Sequence, residues 1–260
     1  MYEEDLKVVS KAAKAKVNFM KGNLLGYFIA SMLGGAYVGF GVLLIHSIGG
    51  MLQGTPYTKI IMGVSFSIAL SLVVIAGAEL FTGNNFVIGT GALMGTVSWK
   101  DTIKVWIVCY LGNWAGSIVL AILSWGAGIS TGPIGEFVAV MSATKMSIPL
   151  ISLLLKGVLC NILVCLAIWS STRCKSESGK LTMIFLCLFA FITSGFEHSI
   201  ANMTLLTIGL LAPHGAAISL GGYLYNIGVV TIGNMIGGIL FLAIPYYIIA
   251  GKKVGKALEQ

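Results

Sequence analysis

Two glutamates sit in the same local frame. Gly77-Ala78-Glu79-Leu80-Phe81-Thr82-Gly83-Asn84 and Gly195-Phe196-Glu197-His198-Ser199-Ile200-Ala201-Asn202 share Gly, Glu and Asn at a constant offset of 118 residues, and Gly91 and Gly209 keep that offset. Both frames lie in strongly apolar sequence. A carboxylate near a bilayer centre costs about 2.5–3.5 kcal/mol on insertion scales, so two in matching frames need a physical reason. Three kinds of chemistry are open to them: carrying a proton, holding a ligand, or accepting hydrogen bonds from groups freed inside an apolar medium. His198 adjoins the second glutamate and is the one histidine in the middle of an apolar stretch; His46 and His214 lie at the ends of theirs.

The elements around these residues must be membrane-spanning. The chain has 260 residues, 57% hydrophobic and 10% charged, with mean hydropathy +0.95, whereas a soluble domain is about 25% charged. Residues 1–21 are rich in Lys, Glu and Asp and lack the apolar core of a cleavable signal peptide. Cys109, Cys160, Cys165, Cys174 and Cys187 show no metal-ligand spacing and read as reduced packing residues. The net charge of +7 is not a nucleic-acid footprint, because the basic residues sit in short segments flanking apolar spans.

Six apolar regions are long enough to cross a bilayer as helices: 24–46, 60–97, 103–125, 149–170, 181–212 and 222–250. The second and fifth exceed one straight span and carry the glutamate frames in their middles. Lysine and arginine set the orientation. Lys7, Lys11, Lys14, Lys16, Lys21, Lys100, Lys104, Arg173, Lys175, Lys180, Lys252, Lys253 and Lys256 fall on one side; Lys59 and Lys145 fall on the other, and Lys156 lies inside a span. This split predicts a multi-pass protein of the cytoplasmic (inner) membrane with both termini cytoplasmic. Residues 1–22 read as a cytoplasmic interfacial helix, with Tyr2, Leu6, Val9, Ala13 and Val17 on one stripe. Residues 23–251 form a single transmembrane domain and 252–260 a cytoplasmic tail.

The halves, about 23–125 and 149–250, resemble each other beyond the glutamates. Lys21-Gly22 matches Lys156-Gly157, and Gly112-Asn113 matches Gly233-Asn234 in Leu-Gly-Asn-Trp-Ala-Gly and Ile-Gly-Asn-Met-Ile-Gly. Three spans per half is odd, so the halves insert in opposite directions. The expected fold is all-α: six transmembrane helices in two inverted three-helix repeats, with the second and fifth helices broken near the midplane. Unwinding a helix in lipid frees backbone N–H groups that need partners. Ionised Glu79 and Glu197 can accept such bonds, and Asn84 and Asn202 can cap the half-helices that resume after each break. The N-terminal dipole ends of those half-helices converge and favour anions. The glutamates therefore read first as structural locks.

Two readings stay open for the other polar residues. His198 is either a core imidazole bonded to a carbonyl, or a lumen imidazole that donates to, or protonates, a passing anion. Lys156 and Lys21 either snorkel to the interface or form electrostatic funnels at opposite mouths. The Gly-Asn pairs suit close helix packing, with Asn bonding across helices. Walker, zincin, haem and nucleophile-elbow patterns are absent from the sequence, which argues against an enzyme and calls for no cofactor or metal.

Ala78-Glu79-Leu80-Phe81-Thr82-Gly83-Asn84, Lys156-Gly157-Val158-Leu159-Cys160-Asn161 and Gly195 through Met203 together resemble the formate/nitrite transporter family over nearly the whole chain. Within the family the sequence looks closest to the hydrosulfide-channel branch. The resemblance implies an aquaporin-like fold, one pore per protomer and a homopentamer. It implies that His198 faces the lumen midway, with Thr82 reaching toward it. It also implies a cytoplasmic-side apolar constriction of Leu80 and Phe191, an outer one of Phe66 and Leu70, and Lys156 in the outer vestibule. The expected activity is passage of a small monovalent anion of a weak acid, hydrosulfide first, with nitrite or formate as the alternative. Desolvation at an apolar ring favours the neutral acid, and protonation near His198 completes the scheme. A water/glycerol-type channel would carry Asn-Pro-Ala caps, which this chain lacks. An ion-coupled secondary transporter shares the broken helices and would differ in needing a proton gradient.

Overall fold

The computed structural model describes residues 2–250. Met1 and residues 251–260 lie outside the described residues, and with them Lys252, Lys253 and Lys256 of the basic tail. The described chain forms ten helices: α1 (Tyr2–Gly22), α2 (Leu24–Met51), α3 (Thr58–Gly77), α4 (Phe81–Leu93), α5 (Trp99–Gly126), α6 (Gly132–Met146), α7 (Leu150–Arg173), α8 (Glu177–Ser194), α9 (Ser199–Leu211) and α10 (Leu220–Ala250). Six of them, α2, α3, α5, α7, α8 and α10, are long and apolar enough to cross a membrane.

The two overlong apolar regions divide where the glutamate frames lie. The first becomes α3 and α4, separated by Ala78, Glu79 and Leu80; the second becomes α8 and α9, separated by Gly195 through His198. Each resuming half-helix has 13 residues, a length of about 20 Å, too short to span a hydrocarbon core alone. Gly77 and Gly195 enter the two breaks at φ +81° and +73°, the left-handed region in which a β-carbon is strained.

Each half contains one more element than three spans. α1 precedes α2 at one face, and α6 precedes α7 at the opposite face, where it packs Phe137 against Gly49 and Ile134 against Gly50 at the far end of α2. The repeat is therefore a leading helix at one face, a span, a broken span with its half-helix, and a closing span. The α1 stripe packs on protein and not on a lipid surface. Leu6, Val9, Ala13, Val17 and Met20 are buried against the core, with Ala13 under Gly91 of α4. Arg173, at the end of α7, pairs with Asp5 at 3.3 Å and lies over the Tyr2 ring.

Glycine sets the helix spacing. A β-carbon on Gly35 or Gly116 would overlap the carbonyls of Asn113 and Met32, and one on Gly233 or Gly237 those of Leu154 and Val158. The α2–α5 and α7–α10 pairs are thus in backbone contact, which small residues permit. The five cysteines are free, and all but Cys174 are buried.

Candidate functional site

The first break is held by three side chains from outside it. Glu79 Oε1 accepts from Lys16 Nζ of α1 at 2.6 Å; Oε2 accepts from Tyr27 Oη and Asn84 Nδ2, both at 2.9 Å. At the second break, Lys145 Nζ of α6 donates to both Glu197 oxygens at 2.7 Å, and Asn202 Nδ2 donates to Oε2 at 2.7 Å. The lysines come from equivalent elements, the helices that open each half. Lysine is long enough to reach from the rim to a break near mid-depth, and a paired, hydrogen-bonded carboxylate can be buried where a lone one cannot.

The backbone freed at each break is satisfied by asparagines of the closing spans. Asn113 Oδ1 accepts from Phe81 N at 2.9 Å, while its Nδ2 donates to Ser31 O at 2.6 Å and Glu79 O at 2.8 Å. Asn234 repeats this with Ser199 N at 2.9 Å, Gly157 O at 2.8 Å and Glu197 O at 3.0 Å. Glu79 N donates to Ala30 O, and Glu197 N to Lys156 O. Asn113 and Asn234 therefore do more than join helices: one amide spans each unwound segment. The carboxylates accept from side chains and not from freed backbone N–H groups. Asn84 and Asn202 do not cap; they lie one turn inside α4 and α9 and orient the glutamates.

These pairings also reset the register of the repeat. Ala30 and Lys156 share one role, and Ser31 and Gly157 the next, at an offset of 126 residues. The counterpart of Lys156 is Ala30 and not Lys21. Lys21 instead pairs with Asp101 at 2.7 Å on the exposed α1 face, away from the cavity there.

The copies differ at the N-caps of the half-helices. Leu80 caps α4 without a side-chain bond; His198 caps α9, its Nδ1 accepting from Ala201 N at 3.1 Å. Both have extended backbones, with φ/ψ −119/122° and −113/118°. An Nδ1 that accepts leaves the proton of a neutral ring on Nε2. Nε2 lies 3.0 Å from Thr82 Oγ1, in the first turn of α4. His198 and Thr82 are both buried, and their contact joins the two helix N-termini.

Cavities open on both sides of this contact. On the α6 face, about 460 Å³ is lined by Lys59, Lys145, Lys156, Phe66, Phe191 and His198, among others. On the α1 face, about 440 Å³ is lined by Lys16, Leu70, Glu79 and Leu80, among others. Between them a void of about 10 Å³ is bounded by Phe66, Leu70, Leu80, Phe191 and His198, room for about one water. The four apolar residues expected as two separate rings bound this one neck. Their grouping also differs from expectation: Leu80 faces the α1-side cavity with Leu70, and Phe191 packs edge-to-face on Phe66 at 5.5 Å toward the α6 side.

Lys16, Lys145, Tyr27, Asn113 and Asn234 carry the site, although the sequence does not mark them as site residues. The Gly-Asn match points at two of them. The lysines carry no such signal: Lys16 lies on an amphipathic helix and Lys145 in a connection between spans, and in either place a lysine reads as solvated. Among the described residues no group of three or more His, Cys, Asp or Glu side chains is placed to hold a metal ion.

An inverted pair of broken spans, meeting N-terminus to N-terminus at a narrow neck between two wide cavities, defines a membrane protein of the channel or transporter class. The formate/nitrite transporter family profile matches residues 3–248. The nitrite transporter NirC of Salmonella typhimurium is 38% identical over 248 residues, which cover 95% of this chain and 91% of that one. The formate channel FocA of Escherichia coli is 32% identical over 211 residues, 74% of each chain. Among solved structures, an FNT family ion channel superposes with TM-score 0.91 at 37% identity, covering 95% of this chain and 98% of that one. A pentameric formate channel with formate bound gives TM-score 0.76 at 30% identity, covering 86% and 96%. The chain belongs to the formate/nitrite transporter family and is a multi-pass membrane protein.

Proposed function

We propose that the protein conducts small monovalent anions of weak acids, nitrite or formate in the first place, through a pore that runs past His198. One observation carries this reading: the half-helix N-termini meet at the Thr82–His198 contact, in a neck of about 10 Å³ between two lysine-bearing cavities. Helix N-termini and lysines attract an anion; the apolar neck strips its water and favours the neutral acid. The passing species is then a few atoms in size and accepts one hydrogen bond from His198 Nε2–H. The proton comes from solvent in the cavity. The histidine keeps its own, because an Nδ1 that accepts from Ala201 cannot also be protonated.

Relatives named for nitrite and formate favour those anions over hydrosulfide. The described basic residues of the cytoplasmic set, at the α1 face, support an inner-membrane orientation with both termini inside. A pentamer is the assembly of a similar solved structure, and apolar residues such as Leu24, Leu25, Leu123, Ile151 and Phe241, exposed on one protomer, suit lipid and neighbouring subunits.

The test is flux into proteoliposomes of nitrite, formate and hydrosulfide, each at several pH values. Saturable nitrite or formate flux supports the reading. Faster hydrosulfide flux would restore hydrosulfide as the substrate, and flux of glycerol without anions would sink the anion reading.

A further inference from the structure

The two cavities are nearly equal in volume but not in charge. The α1-side cavity has one lysine, Lys16, already paired with Glu79. The α6-side cavity has three; Lys145 is paired with Glu197, while Lys59 and Lys156 have no carboxylate partner among the described residues. The register of the repeat accounts for one of the two unpaired lysines, because Lys156 stands where the other half has Ala30. The same cavity is lined by Met62, Phe66, Phe137, Met141, Phe191 and Phe196. An ion of a few atoms fills a small part of about 460 Å³ and touches little of that apolar wall. The volume falls in the range of small-molecule sites, about 300–1,000 Å³, in which apolar walls and a few convergent polar groups fix a ligand.

We infer that the α6-side cavity is a binding site for amphiphilic monocarboxylates with an aryl or medium alkyl body, which lodge there and block the pore from that side only. The carboxylate pairs with Lys59 and Lys156 beside the second break, where Lys59 Nζ lies next to Gly195 and Lys156 O accepts from Glu197 N. The apolar body lies among the aromatic and methionine side chains. The neck, about 10 Å³, stops it there. The α1-side cavity lacks an unpaired lysine on its lining, so the same compound binds weakly from that face. The block rests on the channel reading above; the binding does not.

The probe is 3-phenylpropanoate, titrated calorimetrically against the detergent-solubilised full chain, with 3-phenylpropanamide as the neutral control. The expected result is saturable binding that weakens about tenfold or more for the amide and for Lys59→Gln and Lys156→Gln, a loss of about 1.4 kcal/mol. Lys59 is exposed at the start of α3, so its variant tests the charge without disturbing the core. No binding up to about 10 mM, or equal affinity for acid and amide, would overturn the site. In proteoliposomes of determined orientation, phenylpropanoate is expected to inhibit nitrite flux when added at the α6 face and not at the α1 face; equal inhibition from both faces would overturn the sidedness. Nitrite flux is recorded first without the compound. Its absence counts against the channel reading alone, because the calorimetry is scored independently.

Discussion

Thr82 Oγ1 and His198 Nε2 lie 3.0 Å apart and tie together half-helices from opposite halves of the repeat. The contact is asymmetric where the scaffold is symmetric. His198 takes the N-cap position that Leu80 fills in the other copy, and Thr82 the position of Ile200. The two imidazole nitrogens act separately, since Nδ1 caps α9 and Nε2 reaches the neck.

Substitution can separate these two roles. Asn is a good N-cap but too short to reach Thr82, whereas Ala does neither. His198→Ala is expected to lose about 1 kcal/mol of stability with the cap, together with flux or selectivity. His198→Asn should keep the thermal midpoint near the parent's and still lose the transport phenotype. Melting curves of purified variants, paired with vesicle flux, read both. Normal flux in His198→Asn would show that the Nε2 contact is dispensable.

The two ion pairs predict unequal costs. Lys145 and Glu197 side chains are 15% and 4% exposed, against 24% and 11% for Lys16 and Glu79. Removing one partner of a buried pair leaves an uncompensated charge, at about 3–5 kcal/mol. Lys145→Met should approach that range, and Lys16→Met should cost less because water screens its carboxylate. Combining Lys145→Met with Glu197→Gln should recover most of the loss. Thermal unfolding of the singles and the double forms the cycle, and strict additivity would show that the two side chains are not coupled.

Asn113 and Asn234 predict a harsher outcome. Asn113→Leu strands the Phe81 N–H and the Glu79 carbonyl at once, each at about 1–3 kcal/mol when buried. Expression of either Leu variant is expected to yield little monodisperse protein on size exclusion. A well-behaved Asn113→Leu sample with parental melting would mean that another group, such as water, satisfies the break.

Much of this architecture is legible in the residues themselves. The matching glutamate frames mark both breaks because a carboxylate in apolar sequence has few structural uses. The lysine asymmetry marks one face because charge cannot cross freely. What the residues do not reveal is tertiary. Lys16 reaches inward from a helix whose stripe resembles a surface anchor, and Lys145 from a segment that reads as a connection between spans; a helical wheel does not say whether a stripe meets lipid or protein. Lys21-Gly22 matches Lys156-Gly157 in letters, but the hydrogen bonds of the breaks pair Lys156 with Ala30. A motif match fixes register only where the backbone contacts agree. Leu80 and Phe191 bound the same neck but open onto opposite cavities, because Leu80 lies in the first break and Phe191 on α8 of the other half.

The neck gives the last prediction its sign. If the permeant is the neutral acid, its concentration at a given total anion falls about tenfold per pH unit above the acid's pKa. Nitrite influx into vesicles should therefore rise steeply as the outside pH falls, and the lumen should acidify as the acid dissociates inside. A conducted bare anion would leave the lumen pH unchanged and would make the flux follow membrane potential. Leu80→Ala, which widens the neck that Leu80 bounds together with His198, should weaken both signatures together by letting hydrated anions through. A trapped pH dye, with and without a potassium–valinomycin potential, distinguishes these cases. Acidification with no voltage dependence is the expected outcome, and voltage-driven uptake without acidification would rule out neutral-acid passage.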